Sequence, residues 1–254
     1  MRHAKPTDRS WAGQCVVQSL ICRSRARIQF SHVTILPDVE EPLHLVECWL
    51  DEAVTRREQP NPNAMALATV AVTGRPSARV VLIKGLDCEH GYVVFYTNYS
   101  SRKAIEIGDG RWVAGVVHWD ALGRQIRFEG PAVKSPEPES DAYFSARPWR
   151  SQINAWASHQ SEPLDNPGAL ETKARELASR FDAPDPFGAA EPCAELAVPR
   201  PSFWGGFRLW LGAIEFWASG RDRFHERLRF ERDLDPAGNA SFVAGEWRSQ
   251  RLQP

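Results

Sequence analysis

The chain places cations and hydroxyls at spacings suited to binding anions. Arg79 and Lys84 flank one β-branched segment, and Arg102 and Lys103 follow a serine pair, Ser100–Ser101. Ser100 can cap a short helix over 101–107, which sets both cations in its first turn. Positive side chains there oppose the helix dipole and are misplaced on stability grounds. A phosphate at that helix start reverses the argument, because free N–H groups and both cations would face it. A solvated surface pair is the other reading of these residues. Farther on, Tyr143, Arg147 and Ser151 recur at intervals of four. Pro148 interrupts the run, so Arg147 should end one helix while Pro148 opens the next at its first position. Ser151 then falls in the first turn of the second helix. A phenol, a guanidinium and a hydroxyl converging there would suit a phosphate monoester; an exposed polar junction is the alternative.

Other chemistries lack their residues. The sequence has no GxGxxG after a strand, no GxxxxGK[ST], no HExxH and no GxSxG, and its seven histidines show no metal-ligand spacing. No metal is therefore expected. The five cysteines form no CxxC pair, which points to a reducing, cytoplasmic setting. Basic and acidic residues number 31 and 32, for a net charge of -1. Nothing global favours nucleic acid or an anionic membrane surface, and no apolar run is long enough to span a bilayer. Ten tryptophans read mainly as core and interface packing.

The positioning elements follow from periodicity. Leu45, Val46, Trp49, Leu50 and Ala53 recur at helical spacing after Glu41–Pro42. Strands are expected over 65–72, 77–84 and 92–97, joined by short turns, then a hairpin over 112–119 and 125–133. Short connections of this kind make antiparallel pairs, since parallel ones need long crossovers. Helices should cover 136–146, 148–158 and 167–181, with a surface loop over 183–201. Strands resume over 206–211, 213–217, 223–232 and 246–252. The expected fold class is α+β, a mainly antiparallel split β-barrel with peripheral helices. Residues 41–254 should form this domain, and residues 1–40 a poorly defined extension. The first 35 residues carry Arg2, Lys5, Arg9, Arg23, Arg25 and Arg27 against Asp8 alone. That composition is transit-peptide-like, without a clean amphipathic repeat.

Nine stretches in register then match one family. They are Arg79–Lys84, Phe95–Asn98, Ser101–Lys103, Gly123–Gln125, Tyr143–Pro148, Ser151–Gln152, Pro201–Phe207, Ile214–Trp217 and Arg223–Arg227. The chain resembles the pyridoxine (pyridoxamine) 5′-phosphate oxidases from about Glu41 to its end. The resemblance implies a homodimer binding FMN at its interface. Cofactor contacts would fall on Arg79, Val80, Val81, Leu82, Ile83, Lys84, Tyr96, Thr97, Arg102, Lys103, Gln125, Gln160, Ser161, Trp217 and Arg227. It gives the substrate phosphate to Lys84, Tyr143, Arg147 and Ser151, and the substrate ring to Arg223 and His225, the residues nearest the chemistry. The implied reaction is hydride transfer from C4′ of a phosphorylated B6 vitamer to flavin N5, with oxygen reoxidising the flavin to give hydrogen peroxide. Family members often carry an Arg-Arg-x-Tyr lid segment; the residues before Pro42 contain none. A related flavin oxidase of phenazine biosynthesis, or a non-catalytic FMN or pyridoxal phosphate binder, are the competing readings.

Overall fold

The computed structural model describes residues 36–254 apart from Asp38, Asp165 and residues 193–195. Residues 1–35 of the N-terminal extension, with the transit-peptide reading, lie outside the described residues, as do Cys15, Cys22 and Cys193; within the last part of the extension, Leu36 is buried in the barrel core.

Helix α1 (Pro42–Arg56) starts on a proline and ends where Arg57 turns left-handed. Its expected apolar face is buried: Leu45, Val46, Trp49, Leu50 and Ala53 all point into the core. Trp49 is fully covered and meets Phe216 edge-on at 5.2 Å, so truncating it to alanine would cost about 3–5 kcal/mol. Strands β1 (Ala64–Val70) and β2 (Pro76–Leu82) form the first hairpin. Short β3 (Gly85–Asp87) and β4 (Tyr92–Asn98) follow, then α2 (Arg102–Ile107). A second hairpin joins β5 (Trp112–Trp119) to β6 (Arg124–Lys134). Three helices come next: α3 (Glu137–Ser145), α4 (Trp149–Ala157) and α5 (Pro167–Arg180). The chain closes with β7 (Trp204–Trp210), β8 (Ala213–Ala218), β9 (Glu226–Glu231), the β10–β11 hairpin (Leu234–Pro236 with Phe242–Ala244) and β12 (Arg248–Leu252).

All strand pairs are antiparallel. The large sheet runs β12-β9-β8-β6-β5-β1-β2, and β7 joins both β6 and β4. β6 splits its partners along its length: residues 124–129 pair with β8, and residues 132–134 with β7. Gly130 sits at the division, where a Cβ would run into the Trp210 carbonyl. Just past β2, the Lys84 amide donates to the Val94 carbonyl of β4 at 2.7 Å, curling the sheet toward closure. This is the expected α+β split barrel, with α1 packed on it and α3–α5 forming a second small core around Phe144, Ile153 and Trp204.

Three local expectations change. The last long strand was expected from Arg223 but begins at Glu226. Asp222 and Arg223 adopt left-handed φ of 51° and 68° within a 3-10 turn, which cannot join a ladder. Ser101, not Ser100, is the residue before α2, and its side chain makes no capping bond. Ser100 instead donates to Asn98 Oδ1. Pro148 precedes α4, whose first residue is Trp149, so Ser151 still lies in the first turn. Among the described residues, no helix is long and apolar enough to cross a membrane.

Candidate active site

Most of the expected anion-binding residues gather along two adjoining clefts between β2, β4 and the helical insert. The first, of about 480 Å³, is lined by Ser77 to Val81 of β2, Tyr96 and Thr97 of β4, Arg102 and Lys103 of α2, and Gln160 with Ser161. Lys103 is buried, and its Nζ donates to Thr97 Oγ1, Ser101 Oγ and Gln160 Oε1 at 3.1, 3.2 and 2.8 Å. These acceptors are neutral. Burial, then the nearby Arg79 charge, lowers the Lys103 pKa to about 8. Arg79 and Arg102 both reach Glu106, at 3.3 and 2.7 Å. Burial works against the Glu106 charge, but hydrogen bonds from Ser77, Thr69 and Arg102 hold its pKa at about 2. The cleft thus sets three cations against one carboxylate, a surplus that a phosphate dianion would neutralise. Ser161 adopts a left-handed φ of 79° on this rim, backbone strain of the kind found at ligand sites.

The second cleft, of about 320 Å³, continues past a wall shared with the first, formed by Tyr96, Thr97 and Gln160. Its far side carries Leu82, Lys84, Tyr143, Arg147 and Trp204. The Tyr96 and Tyr143 rings stack at 3.8 Å and 7°, with Trp204 parallel to both. The Arg147 guanidinium lies 4.5 Å from the Trp204 ring centre, and its Nη1 is buried without a hydrogen-bond partner. Burial lowers the Arg147 pKa, against the opposing pull of Tyr143. A buried guanidinium nitrogen left open is costly unless a ligand takes it. Arg147 is held from behind by Gln152, whose Nε2 donates to the carbonyls of Phe144, Ser145 and Arg147, each at 3.1 Å. This orphaned donor and the cation surplus next door show that the residues present fit two phosphate groups.

Two expected residues stand apart from the cleft walls. Ile83 is fully buried in the barrel core, so only its backbone lies on the β2 margin. Ser151 is half-buried on α4, and its amide donates to the Pro148 carbonyl.

The remaining five form a separate group. Gln125, Trp217 and Arg227 are lateral neighbours on β6, β8 and β9. Arg227 forks onto buried Glu215, with Nε and Nη2 at 2.9 and 2.8 Å. The His225 ring lies 4.7 Å from that of Trp217, and its Nδ1 accepts the Gly220 amide at 3.3 Å. That bond leaves Nε2 to carry the proton of the neutral ring. Arg223 occupies the left-handed turn just before, beside Phe224, which is 77% exposed. A Cβ at Gly220 would collide with the Phe224 carbonyl, so the turn depends on that glycine. Between β2 and β8 lie β1, β5 and β6, about 19 Å along the sheet at ordinary strand spacing. None of these five residues lines either cleft.

Sequence reasoning missed Trp204, Asn98, Asn154 and Ser158 of the second cleft and Glu106 behind the first. Glu106 left a readable trace, an acid four residues after Arg102. The others are uncharged: Asn98 and Trp204 fall inside matched stretches without standing out in them, and Asn154 and Ser158 carry no local pattern.

Comparison with known proteins places this architecture. The fold is like that of a pyridoxamine 5′-phosphate oxidase-related, FMN binding protein from Nostoc punctiforme, with a TM-score of 0.60, 17% identity, and coverage of 84% of this chain and 97% of that one. A structure of PhzG from Burkholderia lata, in complex with tetrahydrophenazine-1-carboxylic acid, matches at a TM-score of 0.72 and 34% identity, covering 88% of this chain and all of the other. The protein is thus a flavin split-barrel-like α+β protein. Residues 51–181 match the pyridoxamine 5′-phosphate oxidase family model, and residues 204–254 match the pyridoxine 5′-phosphate oxidase C-terminal dimerisation region. Pyridoxine/pyridoxamine 5′-phosphate oxidase of Rubrobacter xylanophilus is 44% identical over 214 residues, 84% of this chain and 87% of that protein. The enzyme of the same name from Burkholderia thailandensis is 41% identical over 231 residues, 91% of this chain and 95% of its own. The chain belongs to the pyridoxamine 5′-phosphate oxidase family, and it is an oxidoreductase.

Proposed function

We propose that this protein oxidises pyridoxine 5′-phosphate or pyridoxamine 5′-phosphate to pyridoxal 5′-phosphate, using FMN and molecular oxygen, with residues 41–254 as the oxidase domain. The observation that carries the reading is the pair of adjoining cationic clefts with a common Tyr96–Thr97–Gln160 wall. They suit two phosphate-bearing molecules held side by side. Arg79, Arg102 and Lys103 would hold the FMN phosphate; Lys84, Tyr143 and Arg147 the substrate phosphate, with Ser151 at the helix start behind them. Bound FMN supplies the two-electron acceptor that oxygen regenerates, giving hydrogen peroxide. The alcohol substrate consumes one oxygen; the amine consumes one oxygen and one water and releases ammonia.

The chain's own share is binding and orientation. Two anchored phosphates fix the relative position of two flat rings, and remote binding energy enforces that geometry at the reacting carbon. Arg223 covers the substrate ring, and His225 donates from Nε2 without acting as a base. Gln125, Trp217, Arg223, His225 and Arg227 line neither cleft in their own chain, and a second copy presents them. The match of residues 204–254 to a dimerisation region supports such a homodimer. The absence of any CxxC pair in the sequence suits a reducing, cytoplasmic setting.

The likeness to PhzG favours a second reading, oxidation of a phenazine precursor. The open guanidinium nitrogen of Arg147 supports a phosphorylated substrate instead. The test is the visible spectrum of the purified protein under anaerobic conditions. Bleaching of a flavin band by pyridoxine 5′-phosphate is expected. Bleaching only by a dihydrophenazine acid would transfer the assignment to the second reading, and bound flavin that neither bleaches would indicate a carrier.

A further inference from the structure

Glu106 belongs to neither the cofactor contacts nor the substrate contacts, yet it is bonded to the side chains of the first cleft. It is 5% exposed. Its Oε2 accepts from Thr69 Oγ1 at 2.5 Å, from Ser77 Oγ at 2.6 Å and from Arg79 Nη2 at 3.3 Å. Its Oε1 accepts from Arg102 Nε at 2.7 Å. Arg79 is tied a second time to the same support, donating to Thr69 Oγ1 and Ser77 Oγ at 2.5 and 2.6 Å. The Arg102 side chain is otherwise 57% exposed, and a long cation so exposed loses much conformational freedom when held in one place.

We infer that Glu106 is the positioning residue of the phosphate cleft: its one carboxylate bridges Arg79 and Arg102, aims both guanidinium groups, and leaves the cleft with two net positive charges. That charge is the complement of a terminal phosphate monoester dianion. The inference deepens the proposed FMN site and rests on that reading.

Charge alone predicts the opposite sign. Deleting a carboxylate beside an anion site should strengthen anion binding by Coulomb attraction. With Glu106→Gln, however, Arg102 loses its carboxylate partner, and Arg79 keeps Thr69, Ser77 and the Leu67 carbonyl but no anion. The result expected on titrating FMN and riboflavin into flavin-free protein, followed by flavin fluorescence, is FMN affinity about tenfold weaker, equivalent to one charge-assisted hydrogen bond. Riboflavin has no phosphate, so its affinity should stay within about twofold, and the FMN-to-riboflavin preference falls about tenfold with it. Unchanged or tighter FMN binding would overturn the inference. So would an equal loss for both flavins, which would mean that the carboxylate merely supports the fold.

Should Glu106→Gln fail to fold, Thr69→Val decides. Thr69 is 1% exposed and lies outside the cleft lining, and the swap keeps its shape while removing one donor to Glu106 and one acceptor from Arg79. It should lower the flavin preference by about threefold, half or less of a charged hydrogen bond, and an unaltered preference refutes the role. Inorganic phosphate, followed by calorimetry on the same proteins, separates the two readings. If wild-type protein takes phosphate but neither flavin, the FMN assignment fails. Glu106 is then judged on phosphate alone: weaker binding in the variant sustains its role, and equal binding ends it.

Discussion

Arg147→Met removes a charge while leaving a hydrocarbon stem in the same place. In the free protein the guanidinium stacks on Trp204 at 4.5 Å and approaches Phe144 at 5.6 Å, while Nη1 is buried and unbonded. Methionine keeps the apolar contacts and sulfur–aromatic attraction with Trp204. The lost cation–π attraction, about 0.5–2 kcal/mol, is offset by relief of an unsatisfied buried donor, about 1–3 kcal/mol. Unfolding in urea should therefore shift by no more than about 1 kcal/mol. Substrate binding should change far more. Two charge-assisted hydrogen bonds to the phosphate, at about 1.5 kcal/mol each, amount to about 3 kcal/mol, or roughly a hundredfold. The assay is oxygen uptake against pyridoxine 5′-phosphate concentration, with the flavin content of each preparation read from its spectrum. A rise in KM of about two orders of magnitude with full flavin is expected. A KM within threefold of wild type, or loss of flavin in place of a KM effect, would refute the assignment of this cleft to the substrate phosphate.

FMN affinity for the flavin-free protein should be level between pH 6 and 8 and fall by up to about tenfold per unit above pH 8, because a bound phosphate favours protonated Lys103 and raises its pKa above the free value of about 8. On this group alone, the flavin-free fold should gain stability from pH 8 toward 10.5: the folded pKa is depressed, so the unfolded chain binds more protons there. A profile without a break near pH 8 would remove Lys103 from the phosphate contacts. Arg223→Ala should lower turnover about tenfold or more while changing FMN affinity much less; equal losses would mean that Arg223 serves the cofactor. Gly220→Ala should disrupt the 220–225 turn and depress turnover through Arg223 and His225, while the circular dichroism of the barrel stays that of wild type. Gln152→Leu should raise KM through Arg147, since three carbonyls lose their shared donor; a KM equal to wild type's would show that the α3–α4 corner holds without it.

Much of the fold was legible because its signals are local. The α1 face, the two early hairpins and the three helices of the insert follow from periodicity, prolines and short turns. Strand β9 was started three residues too early because Asp222 and Arg223 take left-handed φ that no propensity favours. Three-residue β3, β10 and β11 carry too little pattern to read. At the site, Arg102–Lys103 and Tyr143–Arg147 stood out because charge at a helix end is conspicuous. Trp204 did not, because a tryptophan that stacks on an arginine looks like any core tryptophan until the two segments, 57 residues apart, are brought together. Nor could spacing show that the Trp217–His225 group lines neither cleft in its own chain.

That separation has a genetic consequence. If each working centre takes its clefts from one copy and its Trp217–Arg227 group from another, two individually impaired variants can repair each other. An equal mixture of Arg147 and Arg223 variants, unfolded and refolded together, would pair at random. Half of the pairs would be hybrids, each with one intact centre and one doubly damaged centre, so a quarter of the wild-type rate would return. Refolded alone, each variant would keep only its own low residual rate.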